Sequence, residues 1–214
     1  MTPKFAQAVD PVLLHVLGLL ERVARDERPS PQEERLQITA LLDQAEAIVG
    51  VGQEWELGKY ALVSWIDEVL LETPWEGREW WNNNVLEVET FNTRLCNERF
   101  YTRAQEASTL PRRDALEVYY VCVVLGFRGL YREPELAAML TESNGLPDTL
   151  DGWARQTALA IRLGQGRPAL AGPRSEVQGA PPLRSQPLVL WSWLTATLLA
   201  AVVTIYYTLV YRQT

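Results

Sequence analysis

The sequence predicts an all-α protein: a compact cytoplasmic helical domain followed by one C-terminal transmembrane helix. Three observations predict it. Apolar residues recur at three- and four-residue spacing with no competing strand-period alternation. Proline, serine and glycine stand where helices begin and end. Residues 188–211, LVLWSWLTATLLAAVVTIYYTLVY, carry no charged side chain.

The elements follow in chain order. Asp10 followed by Pro11 reads as an N-cap with proline at the first helical position, opening an amphipathic helix to about Glu27. Ser30-Pro31-Gln32-Glu33 repeats the device as a capping box. Leu36, Leu41, Leu42, Ala45, Ile48 and Val49 then supply a buried stripe before Gly50. A third helix runs from Gln53 to Glu72 and stops before Pro74, whose ring and missing N–H oppose continuation. Shorter helices are expected near 84–94 and 97–107. Residues 112–131 give a helix that is apolar nearly all round; its uncharged stretch, Val118 to Phe127, is too short to span a bilayer, so it is expected at the centre of the domain. Short helices near 134–143 and 149–163 complete a domain over residues 1–163.

Residues 164–187, GQGRPALAGPRSEVQGAPPLRSQP, are rich in Gly, Pro, Ser and Arg and lack a periodic apolar pattern, which predicts a flexible linker. As a helix, residues 188–211 would extend roughly 36 Å against a hydrocarbon core of about 30 Å. Trp191 and Trp193 near one end, and Tyr206, Tyr207 and Tyr211 near the other, match the aromatic belts at the two headgroup levels. Arg167, Arg174 and Arg184 precede this segment and only Arg212 follows it, which places the domain in the cytoplasm and residues 212–214 as a stub on the other side.

Composition limits the function. A net charge of −7 and a pI near 4.9 argue against a nucleic-acid binder, which needs a basic stripe to displace counterions from phosphates. Cys96 and Cys122 lie among apolar or aromatic neighbours without CxxC spacing and read as free thiols rather than a disulfide. A histidine-based metal site or a Ser-His-Asp triad would rest on His15 alone, so neither is expected.

One stretch raises a question of chemistry. Residues 62–77, LVSWIDEVLLETPWEG, look like buried core yet carry Asp67 and Glu68 at their centre. On a helical wheel Glu68 shares a stripe with Ser64 and Glu72, at a half-exposed polar edge, whereas Asp67 lies with Tyr60, Val63 and Leu71 and should face the interior or a cleft between packed helices. A buried carboxylate requires a partner: an arginine such as Arg128 or Arg132, a tyrosine hydroxyl, or free helix N–H groups. Adjacent helical acids diverge by about 100° and do not face one another as a glycosidase pair must; a hydrolase would need Asp67 to work with a second acid such as Glu98. Trp80 and Trp81, within EGREWWNNN, are a possible interface patch or aromatic packing over the end of the third helix.

Three blocks carry a resemblance. KYALVSWIDEVLLETPW at 59–75, FNTRLCNERFY at 91–101 and LEVYYVCVVLGFRGLYR at 116–132 resemble, in order, the signatures of the DotU/TssL (IcmH/DotU) family. These are tail-anchored inner-membrane components of type VI and type IVb secretion systems. Cys96-Asn97 stands where the family has Gly-Gly at a tight turn. The resemblance implies two small helical bundles with a cleft between them, and a homodimer formed partly through the membrane segment. It also implies assembly with a TssM/IcmF-like inner-membrane protein and docking of TssK-like and TssE-like baseplate subunits. Neither cofactor nor catalytic activity is implied. The partner-binding cleft would be shaped by Asp67, Glu68, Thr73, Pro74 and Trp75, with Glu98 from the second block.

Overall fold

The computed structural model describes the backbone of residues 1–164 and 186–212; residues 165–185, 213 and 214, and with them nearly all of the expected linker, lie outside the described residues. Among the described residues every regular element is helical. The chain divides into two units, Met1–Arg167 and Pro168–Thr214.

The first helix, α1 (Pro3–Ala24), begins eight residues before Pro11, the expected first helical position. Proline at its first position needs no intrahelical N–H partner, and Thr2 is tied down by Asp114, which accepts from its backbone N at 2.6 Å and its hydroxyl at 2.7 Å. Pro11 therefore sits inside the helix. It is tolerated because both Pro11 and Gln7, whose carbonyl loses its acceptor role, are exposed to water. The longer helix extends the buried stripe: Phe5, Ala8 and Val9 precede Val12, Leu13, Val16 and Leu19. Helix α2 (Pro31–Val49) starts as expected, with Ser30 accepting from Glu33 N at 3.5 Å. Its buried stripe is Ile38, Leu42 and Ala45, one face round from Leu36, which is 72% exposed. The two helices pack as a hairpin, and Glu34 joins them by pairing with Arg22 at 2.8 Å, with His15 Nε2 lying 3.0 Å from its other oxygen.

Helix α3 (Gln53–Glu72) has the expected bounds and is buried on nearly every side. The helix expected near 84–94 is the shorter α5 (Leu86–Phe91), preceded by an unexpected short helix, α4 (Arg78–Asn83), and α6 spans Cys96–Thr109. The apolar run at 112–131 is helical only as α7 (Asp114–Val124). It ends there because Gly126 adopts φ +114°, its N–H bonding Val123 O at 3.1 Å and the N–H of Phe127 reaching Cys122 O at 3.0 Å, a Schellman closure. A 3₁₀ turn, Gly129–Arg132, leads to α8 (Pro134–Asn144) and α9 (Leu150–Gly164).

α3 and α7 form the centre of the first unit, with α4, α5 and α6 against α3, and α9 against α7. Aromatic rings fill the space between α6 and its neighbours. Phe100 stacks on Phe127 with centroids 3.9 Å apart, and Tyr101 meets Trp153 edge-on at 5.1 Å. Such contacts add to the area these rings bury. Cys122 is buried and Cys96 half-buried, and both are free thiols.

The second unit holds α10 (Gln186–Tyr211), 26 residues without an acid or base. No helix of the described residues is long and apolar enough to cross a membrane; the side chains at 186–192, 207, 209 and 210 of α10 lie outside the described residues.

Candidate functional site

α3 places two carboxylates at its centre, and the turns around it are organised by them. Asp67, 2% exposed, accepts from Trp81 Nε1 and Leu86 N through Oδ1 and from Glu87 N through Oδ2, each at 2.9 Å. It thereby fixes the buried indole of α4 and caps the first turn of α5, whose free N–H groups are the donors. The expected interior position holds, but the partners are these N–H groups and not Arg128 or Arg132. Burial outweighs the three donors and pushes the Asp67 carboxyl up to about 6.

Glu68 does not lie on a half-exposed edge. It is 6% exposed and accepts from Arg128 N at 2.6 Å, Gly129 N at 2.9 Å and Arg132 at 2.9 Å. The wheel places it beside polar residues of its own helix, but the turn at 128–132 folds over that edge. Gly129 allows the close approach: it adopts φ +51°, and a Cβ there would meet the Phe127 ring at 2.7 Å and Asn97 O at 3.0 Å.

A third carboxylate completes the group. Glu87, 1% exposed, accepts from Tyr60 OH at 3.0 Å, Thr93 Oγ1 at 2.8 Å, Leu95 N at 3.0 Å and Cys96 N at 3.0 Å. It holds the segment between α5 and α6, which Asn92 enters at φ +52°. The left-handed residue is thus Asn92; Cys96 and Asn97, in place of the family's Gly-Gly, open α6 in ordinary helical conformation. Burial first, and then the neighbouring charges of Glu87, Asp67 and Glu68, push the Cys96 thiol up.

Between these segments lies a cleft of about 330 Å³, lined by Asp67, Glu68 and Glu87 below and by Glu72, Arg94, Asn97 and Arg132 toward its mouth. Arg132 also pairs with Glu72. Arg94 binds the carbonyl and side chain of Asn82 at 3.1 and 2.8 Å. The floor is therefore hydrogen-bonded to the protein itself, and the exposed groups are those of the mouth.

The other residues singled out by sequence lie elsewhere. Thr73 turns its hydroxyl onto Val69 O at 2.7 Å, ending α3. Pro74 and Trp75 line a separate groove of about 190 Å³ with Val23, Arg28, Pro29 and Glu76. Trp81 is fully buried and Trp80 half-buried against it, centroids 6.3 Å apart, so this pair packs over the end of α3. Arg35 lies 5.7 Å from the Trp81 ring centroid and bonds Glu89 at 2.5 Å, tying α2 to this region. Glu98 is exposed at the start of α6 and is not part of the cleft lining. Trp193, Tyr206 and Tyr211 are exposed on α10, while the side chains of Trp191 and Tyr207 lie outside the described residues.

Glu87 and the two mouth arginines are the residues that sequence reasoning did not connect to the cleft. Glu87 alternates with Glu89 in an acidic, surface-like pattern, and only the neighbouring left-handed Asn92 and the loop that returns to it make it a buried acceptor. Among the described residues no group of three or more His, Cys, Asp or Glu is placed to hold a metal ion.

Comparison with known proteins agrees with this architecture. No curated protein matches the chain. The solved cytoplasmic domain of TssL from Acinetobacter baumannii aligns with 72% of this chain and 96% of its own at a TM-score of 0.54 and 22% identity, a likeness of fold. The family model described as type VI secretion system protein DotU matches residues 4–212. With nearly its whole length matched, from α1 to the end of α10, the chain belongs to the DotU family of type VI secretion system proteins.

Proposed function

We propose that this chain is a structural, non-enzymatic subunit of a type VI secretion membrane complex, anchored in the bacterial inner membrane by α10. It would link a TssM/IcmF-like partner to TssK-like and TssE-like baseplate subunits. The observation that carries the reading is the family match, which runs through the helical domain and on through α10.

Residues 188–211 are the anchor. The apolar side chains Leu194, Leu198, Leu199, Val202, Val203 and Ile205 are all more than half exposed, a helix-long apolar surface that a bilayer would cover. The arginines at 167, 174 and 184 keep residues 1–163 in the cytoplasm and put residues 212–214 on the periplasmic side. Residues 164–187 tether the two parts. The cytoplasmic domain works as two small bundles that share α3, with the cleft as docking site. The protein acts as a homodimer, with Ala196, Ala200, Ala201 and Thr204 as a small-residue face on the anchor.

Mass spectrometry of what co-purifies with the tagged full-length protein, gently solubilised from membranes expressing both partners, tests this. Recovery of a large multi-span membrane protein together with baseplate subunits is the expected result. Recovery of this chain alone overturns the scaffold reading.

A further inference from the structure

The floor of the cleft is buried and hydrogen-bonded to its own chain, whereas the mouth residues are exposed to solvent, and in the wall bearing Arg94 and Asn97 one buried side chain, Glu87, accepts from three successive groups of the loop. We propose that Glu87 is the positioning residue of the docking cleft: it holds residues 93–96 in place, so that a partner reads the mouth of the cleft and not the acidic floor. This rests on the reading of the cleft as a docking site.

The hydrogen bonds carry the argument. Asp67, Glu68 and Glu87 together accept from six backbone N–H groups, those of Leu86, Glu87, Leu95, Cys96, Arg128 and Gly129. Each carboxylate serves a different segment: the start of α5, the 3₁₀ turn, and the loop from α5 to α6. Asp67 and Glu68 lie on α3 and tie their segments to it directly; Glu87, on α5, ties its loop to α3 through the Tyr60 hydroxyl at 3.0 Å. The loop's other side-chain tie is on the surface, from Arg94 to Asn82. The loop enters through left-handed Asn92, and Leu95 is exposed beside half-buried Cys96. Arg94 and Asn97, which line the mouth, are exposed on either side of the two amides that Glu87 accepts. A buried carboxylate with four donors has no free edge to offer a partner, but moving it would displace the residues that do.

The chain carries its own reporter. Cys96 donates its amide to Glu87 and is half-buried, whereas Cys122 is fully buried between α7 and α3. Full-length protein in detergent is treated with a disulfide-exchange thiol reagent under native conditions, and each cysteine is followed by mass spectrometry. Reactivity needs thiolate and access, both of which the wild-type site suppresses at Cys96. Glu87→Gln keeps one acceptor oxygen and turns an amide donor on the remaining N–H groups; Cys96 should then react about tenfold faster, the factor that corresponds to one lost buried hydrogen bond, with Cys122 unchanged. Thr93→Val, which removes a single hydroxyl from the same carboxylate, should give a smaller rise and guards against a Gln variant that fails to fold. Arg94→Ala should lower binding of the purified TssK-like subunit several-fold, with a rise in the Cys96 rate smaller than that of Glu87→Gln, since its ties to Asn82 are on the surface.

Unchanged Cys96 rates in both Glu87→Gln and Thr93→Val overturn the proposal. Equal rises at Cys96 and Cys122 overturn it too, because they would mean loss of global stability and no local wall. The thiol readout needs no partner, so it can succeed or fail independently of the docking reading. If Asp67→Asn abolishes partner binding while leaving the thiol rates at wild-type values, the floor is read directly and the assignment to the mouth is wrong.

Discussion

Replacing Asp67 by asparagine tests the electrostatics of the buried floor. The side chain is 2% exposed, and its carboxyl is raised from 3.8 to about 6 by burial despite three N–H donors. The folded chain therefore binds an extra proton between those values, and the stabilisation that this brings is fully present below pH 3.8 and lost as pH rises through 6. Across the whole interval it amounts to roughly 3 kcal/mol, and between pH 5 and pH 7 to about 1 kcal/mol. Asparagine cannot titrate. Its oxygen can serve the donors from Trp81 and Leu86, but its amide meets Glu87 N–H, a lost buried bond that costs about 1–3 kcal/mol at every pH. The wild type's advantage over Asp67→Asn should thus be about 1 kcal/mol greater at pH 5 than at pH 7. Urea unfolding of full-length protein in detergent, followed by tryptophan fluorescence at both pH values, reads this difference while the other titrating groups cancel. A difference that does not change with pH, or that grows toward pH 7, refutes the account of Asp67 as a desolvated carboxylate.

Further outcomes follow from the same geometry. Glu68→Ala leaves Arg128 N and Gly129 N without acceptors and should lower stability by about 2–4 kcal/mol, measured as a shift in the urea midpoint. Gly126→Ala and Gly129→Ala both force alanine into positive φ, about 1–2 kcal/mol. Only Gly129→Ala also drives a Cβ into Phe127 and Asn97 O, so it should lower the melting temperature clearly more than Gly126→Ala, next to which nothing lies within 4 Å. Leu36→Ser changes a residue that is 72% exposed and should alter stability by less than about 0.5 kcal/mol, where a core leucine would cost several times that. Leu198→Arg and Leu199→Arg together should shift the chain from the membrane to the soluble fraction on sedimentation, since each cation at the centre of a spanning helix costs about 2.5–3.5 kcal/mol.

What the sequence determined by itself was whatever depends on neighbours along the chain. Helix α3 was legible along its whole length because its apolar content is continuous and Pro74 ends it. The Ser30-Pro31 cap and the charge-free stretch at 188–211 are signals of the same local kind. Ambiguity began where two local devices compete. Asp10-Pro11 looks like a helix start, but the chain had already entered α1 at Pro3, and the exposed face let the proline stay. The run at 112–131 is apolar throughout, and only the backbone of Gly126 decides that it breaks.

The tertiary structure alone decided what the acids do. A helical wheel gives the direction of Glu68 relative to its own helix, but whether that direction meets water or the turn at 128–132 depends on a segment 60 residues away. Glu87 is still less legible, since its donors come from Tyr60 on another helix and from a loop that returns through left-handed Asn92. Burial and hydrogen bonding are properties of the assembled surroundings, while helical periodicity is a property of the chain. That is why the helices could be read in advance and the cleft could not.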